Sequence, residues 1–196
     1  MYGTSLVGRG YRDTDIVKST RIKSMNLTNN WKLSDDCLAK LSSVCPSLEV
    51  LDVSYWDGIT EKDIADFLKS SSKIRKLHIS YCKGIKNIGN GFELSKLDYV
   101  GATRSGINDD GLVAIGNIRC PGLLNLNVDG CFGVTTAVEK EILTNCERLR
   151  KINLSGILGH FLFALLCFPS NSYKLSFETA MALDFVGYTV GCMLFH

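Results

Sequence analysis

A pattern of apolar residues recurs along most of this chain and limits what it can fold into. Its copies are 26, 26, 23, 26 and 26 residues apart and begin at Ile22, Leu48, Ile74, Leu97, Leu123 and Leu149. We call these residues the repeat starts. Further apolar residues return three and five places after each start, as at Leu51 and Val53, and an aliphatic residue returns near the eleventh place. A fixed period of this length predicts a solenoid, in which successive copies stack.

Each repeat divides into two halves with different periods. The alternation of inward residues at Leu51 and Val53 indicates a strand. Residues 60–68 carry apolar side chains at i, i+3 and i+4, which is the spacing of a helix that buries one face. A residue type that favours helix N-caps stands at the same place in three repeats, at Ser34, Thr60 and Asn108.

One strand–helix unit buries too few apolar side chains to offset the entropy of ordering it, so neighbouring units must share their faces. The sequence therefore predicts an α/β fold, a right-handed horseshoe-shaped solenoid with a parallel sheet on the concave side and helices on the convex side. We assign residues 1–19 to an N-terminal lead-in or partial repeat. Residues 20–156 form the solenoid, with about five repeats and the start of a sixth, and residues 157–196 form an atypical hydrophobic tail.

Charge and cysteine usage favour a reduced intracellular protein without a nucleic-acid partner. The net charge is +2, and basic residues do not cluster along the sequence. Five of the eight cysteines keep a constant place in the repeat, at Cys45, Cys82, Cys120, Cys131 and Cys146. Thiols locked to the repeat in this way are expected to fill packing positions. With no export signal apparent, we expect a cytoplasmic or nuclear location. The tail could be a hydrophobic cap, a truncated end or, less consistently with its length and charge, a membrane anchor.

The repeat resembles the cysteine-containing leucine-rich repeat family. The family pattern reads here as Cys45-Pro-Ser-Leu48-Glu-Val-Leu51-Asp-Val53-Ser, followed by Ile59-Thr and a helix, and Cys120-Pro-Gly-Leu123 and Cys146-Glu-Arg-Leu149 repeat the junction. The chain looks most like the ribonuclease-inhibitor-like repeats of plant and animal F-box/leucine-rich-repeat proteins, which are substrate receptors of SCF ubiquitin ligases. That resemblance implies a protein partner on the concave face and, through a longer form, SCF components. Only about twenty residues precede Ile22, so no F-box is expected in this chain.

The sequence contains no pattern that predicts catalysis, a metal site or a cofactor. It has three histidines and lacks the usual nucleophile, zinc and phosphate-loop motifs. The concave face is the remaining place for function. Residues four places after each start must point away from the core, and Tyr55, Tyr81 and Arg104 stand seven places after successive starts. They are expected to lie close enough for stacking and cation–π contact.

The predicted partner-binding residues are Asp52, Tyr55, Lys76, His78, Tyr81, Tyr99, Arg104 and Asn127. In the alternative structural reading, the tyrosines only cover the sheet edge and Arg104 pairs with Asp52 or Asp129. Trp56 occupies the place of Cys82 and Cys131 and is expected to be packed inside. We interpret the chain as a non-catalytic protein-interaction module for substrate recognition. A small-molecule sensor of the leucine-rich-repeat type, or a truncated product without independent function, is the alternative.

Overall fold

The computed structural model describes residues 18–30, 36–88, 96–117, 122–138, 141–142, 145–146 and 148–156. These residues form one sheet of parallel strands arranged in chain order. The strands are β1 (Ser24–Asn26), β2 (Val50–Asp52), β3 (Lys76–His78), β4 (Tyr99–Gly101), β5 (Asn125–Asn127) and β6 (Lys151–Asn153). Each repeat therefore contributes one strand, an arrangement compatible with a repeat solenoid. The handedness and the horseshoe curvature stay predictions.

The register of the sheet places equivalent residues of successive repeats side by side. The third-place residues are Cα partners from strand to strand, in the order Met25, Leu51, Leu77, Val100, Leu126 and Ile152. The predicted alignment of these side chains in one interior is confirmed. Lys76 pairs with Tyr99 in the same register although only 23 residues separate them. The third repeat is three residues shorter than the others, and the missing residues therefore lie outside the strands.

Three helices follow from the amphipathic halves of the repeats: α1 (Asp36–Val44), α2 (Glu61–Ser70) and α3 (Asp109–Asn117). Thr60 caps α2 as predicted, since its side chain accepts from the Asp63 N–H while the Asp63 carboxylate accepts from the Thr60 N–H. The Asn108 side chain likewise accepts from the Gly111 N–H at 3.0 Å. In the fifth repeat, Thr136–Val138 form a turn of 3₁₀-helix. Ser34 lies outside the described residues.

The cysteines that keep a constant place in the repeat are buried, as predicted, at Cys45, Cys82, Cys131 and Cys146. Two of them also link neighbouring repeats. The Cys82 thiol donates to the Val53 carbonyl at 3.1 Å, and the Cys131 thiol donates to the Ala102 carbonyl at 3.0 Å. Burial raises the pKa of Cys82 to about 11, so this thiol stays protonated and remains a donor. Trp56, at the same place in the second repeat, is 1% exposed, which confirms its predicted packing.

A glycine precedes the returning aliphatic residue in four repeats, and the sequence analysis did not single it out. A Cβ on Gly84 would lie 2.5 Å from the Ile59 carbonyl oxygen, which is far inside van der Waals contact. Gly106 has the same close approach to the Lys83 carbonyl oxygen. In the third and fourth repeats, the turn after the strand therefore packs its backbone directly on the turn of the preceding repeat. The sequence signal is the recurrent pair seen at 58–59, 84–85, 106–107 and 133–134.

Several predicted features fall outside the described residues. These are almost all of the lead-in (1–19), the interrupted helix of the third repeat beyond Ile88, Cys120 and the hydrophobic tail (157–196). Of the helices that the described segments form, none has both the length and the apolar character needed to cross a bilayer.

Candidate functional site

The open face of the sheet, which points away from the buried core, carries the side chains four places after each repeat start. In four strands this residue is Asn or Asp, and its side-chain oxygen accepts the N–H two residues further on. These residues are Asn26, Asp52, Asn127 and Asn153. Such Asx turns redirect the chain at the end of a strand. Asp52 and Asn127, both predicted to bind a partner, therefore also have a structural role that the sequence analysis missed.

The seventh place of every repeat adopts a left-handed backbone, whatever residue occupies it. The φ angles are +61° to +62° at Asn29, Tyr55, Tyr81 and Gly130, +52° at Arg104 and +74° at Gly156. Five of these residues donate their N–H to a carbonyl of the next repeat, at 2.7–3.0 Å. Left-handed backbone is cheap for glycine and asparagine but strained for tyrosine and arginine. The inter-repeat hydrogen bonds hold the chain in this conformation.

Tyr55 and Tyr81 stack on successive repeats, as predicted. Their ring centroids are 4.3 Å apart and the ring planes differ by 12°. Tyr55 is 46% exposed, so one side of the stack faces solvent. Partial desolvation raises the pKa of the Tyr55 phenol, with a further contribution from the neighbouring Tyr81 hydroxyl. The pair is a flat, pre-ordered aromatic surface at the strand ends.

Arg104 continues this row on the next repeat. A Cβ built on Gly130 would lie 2.8 Å from Arg104 Cγ, so the arginine stem lies across that glycine. Within the described part of the chain, Arg104 forms no ion pair with Asp52 or Asp129, so the pairing that the structural alternative expected is not formed. Tyr55, Tyr81 and Arg104 are called the Tyr–Arg ridge below.

His78 and Tyr99 form a second ring contact, further back on the open face. Their centroids are 4.7 Å apart, with the planes tilted by 34°. The Tyr99 ring lies over Gly101, where a Cβ would be 2.9 Å from the phenol oxygen. Burial raises the pKa of Tyr99, and the Asp52 carboxylate raises it further. The structure therefore brings Asp52, His78 and Tyr99 together, with Lys76 exposed beside them on β3.

The remaining predicted residue, Asn127, lies apart from the Tyr–Arg ridge in a hollow of about 510 Å³. Tyr99 forms one side of this hollow. Its other lining residues are Asn125, Leu126, Asn127, Lys151, Ile152 and Asn153. The sequence analysis did not propose Asn125, Lys151 or Asn153 as site residues. Asn125 and Lys151 stand two places after their repeat starts, and Asn153 stands four places after its own. Comparing these places across all six repeats could have identified them.

Phe132 is an exposed aromatic residue that the sequence analysis missed. It is 80% exposed, on the loop that follows β5. The equivalent places in the second and third repeats hold Asp57 and Lys83. An aromatic residue at a place that is charged in other repeats is the signal that could have identified it. The Lys83 ammonium donates to the Arg104 carbonyl at 2.5 Å, which links this outer row of loops to the ridge.

The polar side chains of the described segments do not gather in the way a metal ion needs. Among these residues, no three His, Cys, Asp or Glu side chains come together. What the open face presents is aromatic, amide and cationic groups on a rigid sheet. Groups of this kind recognise another molecule by stacking, hydrogen bonding and charge.

Comparison with known proteins gives two partial similarities, both to Arabidopsis thaliana proteins, and no family model matches the chain. BTB/POZ domain-containing protein FBL11 is 33% identical over 109 residues, which are 53% of this chain and 11% of that protein. Putative F-box/LRR-repeat protein 23 is 27% identical over 128 residues, which are 60% of this chain and 28% of that protein. The chain thus spans 11% of the length of one relative and 28% of the length of the other. With the repeated strands, these similarities indicate a plant repeat protein.

Proposed function

We propose that this chain is a protein-interaction module of the leucine-rich-repeat type, which holds another protein on its open face. The Tyr–Arg ridge is the centre of that surface. By its similarity to an F-box/LRR-repeat protein, the module serves substrate recognition in a ubiquitin ligase of the SCF type, with the adaptor-binding part supplied by a longer form or a companion chain. The proposed compartment is the cytoplasm or the nucleus.

The observation that carries this proposal is a strained pair of large side chains kept at the end of the sheet. Tyr81 and Arg104 stand at places where the same backbone accepts glycine in the last two repeats. A non-glycine residue in left-handed backbone costs about 1–2 kcal/mol. Strain of this kind is characteristic of functional positions. Tyrosine and arginine are also enriched among the residues that dominate binding energy at protein interfaces.

The geometry favours a protein partner over a small molecule. The Tyr55–Tyr81 stack is an exposed surface, whereas ligand pockets are concave and mostly apolar. The hollow beside Tyr99 is lined by three asparagines and Lys151 as well as two aliphatic residues. A sensor of small apolar ligands therefore has weaker support than a protein-binding surface.

The test is a quantitative affinity purification from plant extract with the parent chain, the Tyr81→Ala/Arg104→Ala double variant and a Lys62→Ala control. Lys62 lies exposed on α2, away from the open face. We expect a set of proteins to be retained by the parent and the control and lost from the double variant. With a purified partner, the double variant should bind about 2 kcal/mol more weakly, which is roughly a thirtyfold rise in Kd.

Equal retention by the parent and the double variant would remove the ridge from the interface. The ubiquitin-ligase context is tested separately in the same purification. Recovery of an SCF adaptor with the parent supports it, whereas ridge-dependent partners without any adaptor would leave the chain as an interaction module outside that context.

A further inference from the structure

The amino-terminal edge of the sheet, opposite the Tyr–Arg ridge, carries a charged residue one place after five of the six repeat starts. The row reads Lys23, Glu49, Arg75, Asp98, Leu124 and Arg150. The Lys23 ammonium lies 2.6 Å from a Glu49 carboxylate oxygen. Arg75 donates twice to one oxygen of Asp98, at 2.9 and 2.7 Å, and the Asp98 side chain is 13% exposed. Both carboxylates of this row are therefore already paired with cations of neighbouring repeats.

A second row, one place before each start, is basic and has no matching acids. It reads Arg21, Ser47, Lys73, Lys96, Gly122 and Arg148. Among the described residues, Lys73, Lys96 and Arg148 form no ion pair, and Lys73 only donates to the Ser47 hydroxyl at 3.3 Å. The positive charge of Lys73 also contributes to the lowered pKa of Glu49, behind the larger effects of Lys23 and Arg75.

The two rows meet in a hollow of about 400 Å³. Its lining residues are Glu49, Lys73, Arg75, Lys96, Asp98, Gly122, Leu124 and Arg148. Among the described residues, four cations thus face two carboxylates that are both engaged, which leaves a net positive surface. Basic residues do not cluster along the sequence, so the sequence analysis did not indicate this spatial cluster. Lys73, Lys96 and Arg148 are 23 and 52 places apart in the sequence and come together because they hold the same place in the repeat pattern.

The length of the hollow indicates what it can hold. Its lining residues lie ahead of five successive strands, from Glu49 before β2 to Arg148 before β6. Four strand spacings of about 4.8 Å give a length of roughly 19 Å. An extended peptide of about six residues, at about 3.3 Å per residue, spans that distance.

We infer that this edge is a docking site for an acidic, extended segment of another protein, with its carboxylates opposite Lys73, Lys96 and Arg148. A peptide fits better than a nucleic acid for two reasons. In the part of the lining that the structure describes, there is no aromatic ring on which bases could stack. The Glu49 and Asp98 carboxylates interrupt the basic surface, which disfavours a continuous phosphate backbone but suits a peptide with spaced charges. This site goes beyond the proposed function and uses none of the ridge residues.

The experiment measures fluorescence anisotropy of a labelled peptide containing six glutamates, titrated with the full chain at low salt. A glutamine peptide of the same length is the reference. The test variant is Lys73→Glu/Lys96→Glu, and the matched control is Lys40→Glu/Lys62→Glu, which makes the same change in net charge on the exposed helix surfaces. We expect saturable binding of the glutamate peptide, about tenfold weaker in the test variant and within about twofold of the parent in the control.

Added salt should weaken the binding, because exposed charges are screened. Three results would overturn the inference: no saturable binding, equal losses in the test and control variants, or competition by an oligouridine as effective as that by the unlabelled peptide. The last would identify a nucleic-acid surface. None of these results depends on Tyr81 or Arg104, so this test and that of the proposed function fail independently.

Discussion

Replacing Tyr81 by alanine and, separately, by glycine distinguishes the backbone strain of the Tyr–Arg ridge from the contribution of the ring. Both variants lose the stack on Tyr55. This stack contributes about 0.5–1.5 kcal/mol to stability, in addition to the contribution of the apolar area that the rings bury. At a φ of +62°, alanine keeps the left-handed strain of about 1–2 kcal/mol, whereas glycine has none. Glycine in turn gives the unfolded chain more entropy, at a cost of about 0.4–1 kcal/mol. The glycine variant should therefore be more stable than the alanine variant by about 1 kcal/mol.

The assay is urea unfolding followed by circular dichroism, with Tm values as a second measure. A difference of about 1 kcal/mol corresponds to about 2–4 °C in Tm for a chain of this size. The control is the same pair of substitutions at Asp66, an exposed residue in the middle of α2. There the order should reverse, with glycine about 1 kcal/mol less stable than alanine. An alanine variant at position 81 that equals or exceeds the glycine variant would refute a left-handed backbone at this place.

Two further predictions concern the packing between repeats. Gly84→Ala should destabilise the chain by about 1–3 kcal/mol, because its Cβ would meet the Ile59 carbonyl oxygen at 2.5 Å. A Tm equal to that of the parent chain would contradict the close approach of the turns. The Cys82 thiol should resist iodoacetamide at pH 8 until the chain is denatured, because a pKa of about 11 instead of 9 lowers its thiolate fraction about a hundredfold. Peptide mass spectrometry measures this, and rapid labelling of native Cys82 would contradict its burial.

The stacking of the repeats could be predicted because apolar spacing determines which side chains face inward. Leu51 and Leu77 differ by one full period, and parallel strands in register convert that separation into contact. The Tyr55–Tyr81 stack follows from the same rule. The predicted eight site residues occupy a shared sheet, but in two places: Asn127 lies in the hollow beyond Tyr99, away from the ridge. Their binding role stays a prediction.

Other features depend on contacts that a one-dimensional pattern does not encode. The left-handed row escaped prediction because tyrosine and arginine rarely adopt that backbone, although Asn29 and Gly130 in the same row favour it. The roles of Asp52 and Asn127 in turns were missed because exposure alone was considered. The basic hollow was missed because charge was counted along the chain, where its members are far apart. Aligning each place of the repeat across all copies would have shown all three.

The unbroken register across the shortened third repeat has a consequence for how such a chain tolerates change. Pairing of Lys76 with Tyr99 is unaffected by three missing residues, because the loss falls on the return segment and not on the strand or the turn that follows it. In the third repeat, the change of length is thereby separated from the register of the strands. Insertions at the same place could accumulate on the helical side while the exposed residues of the open face keep their spacing from strand to strand.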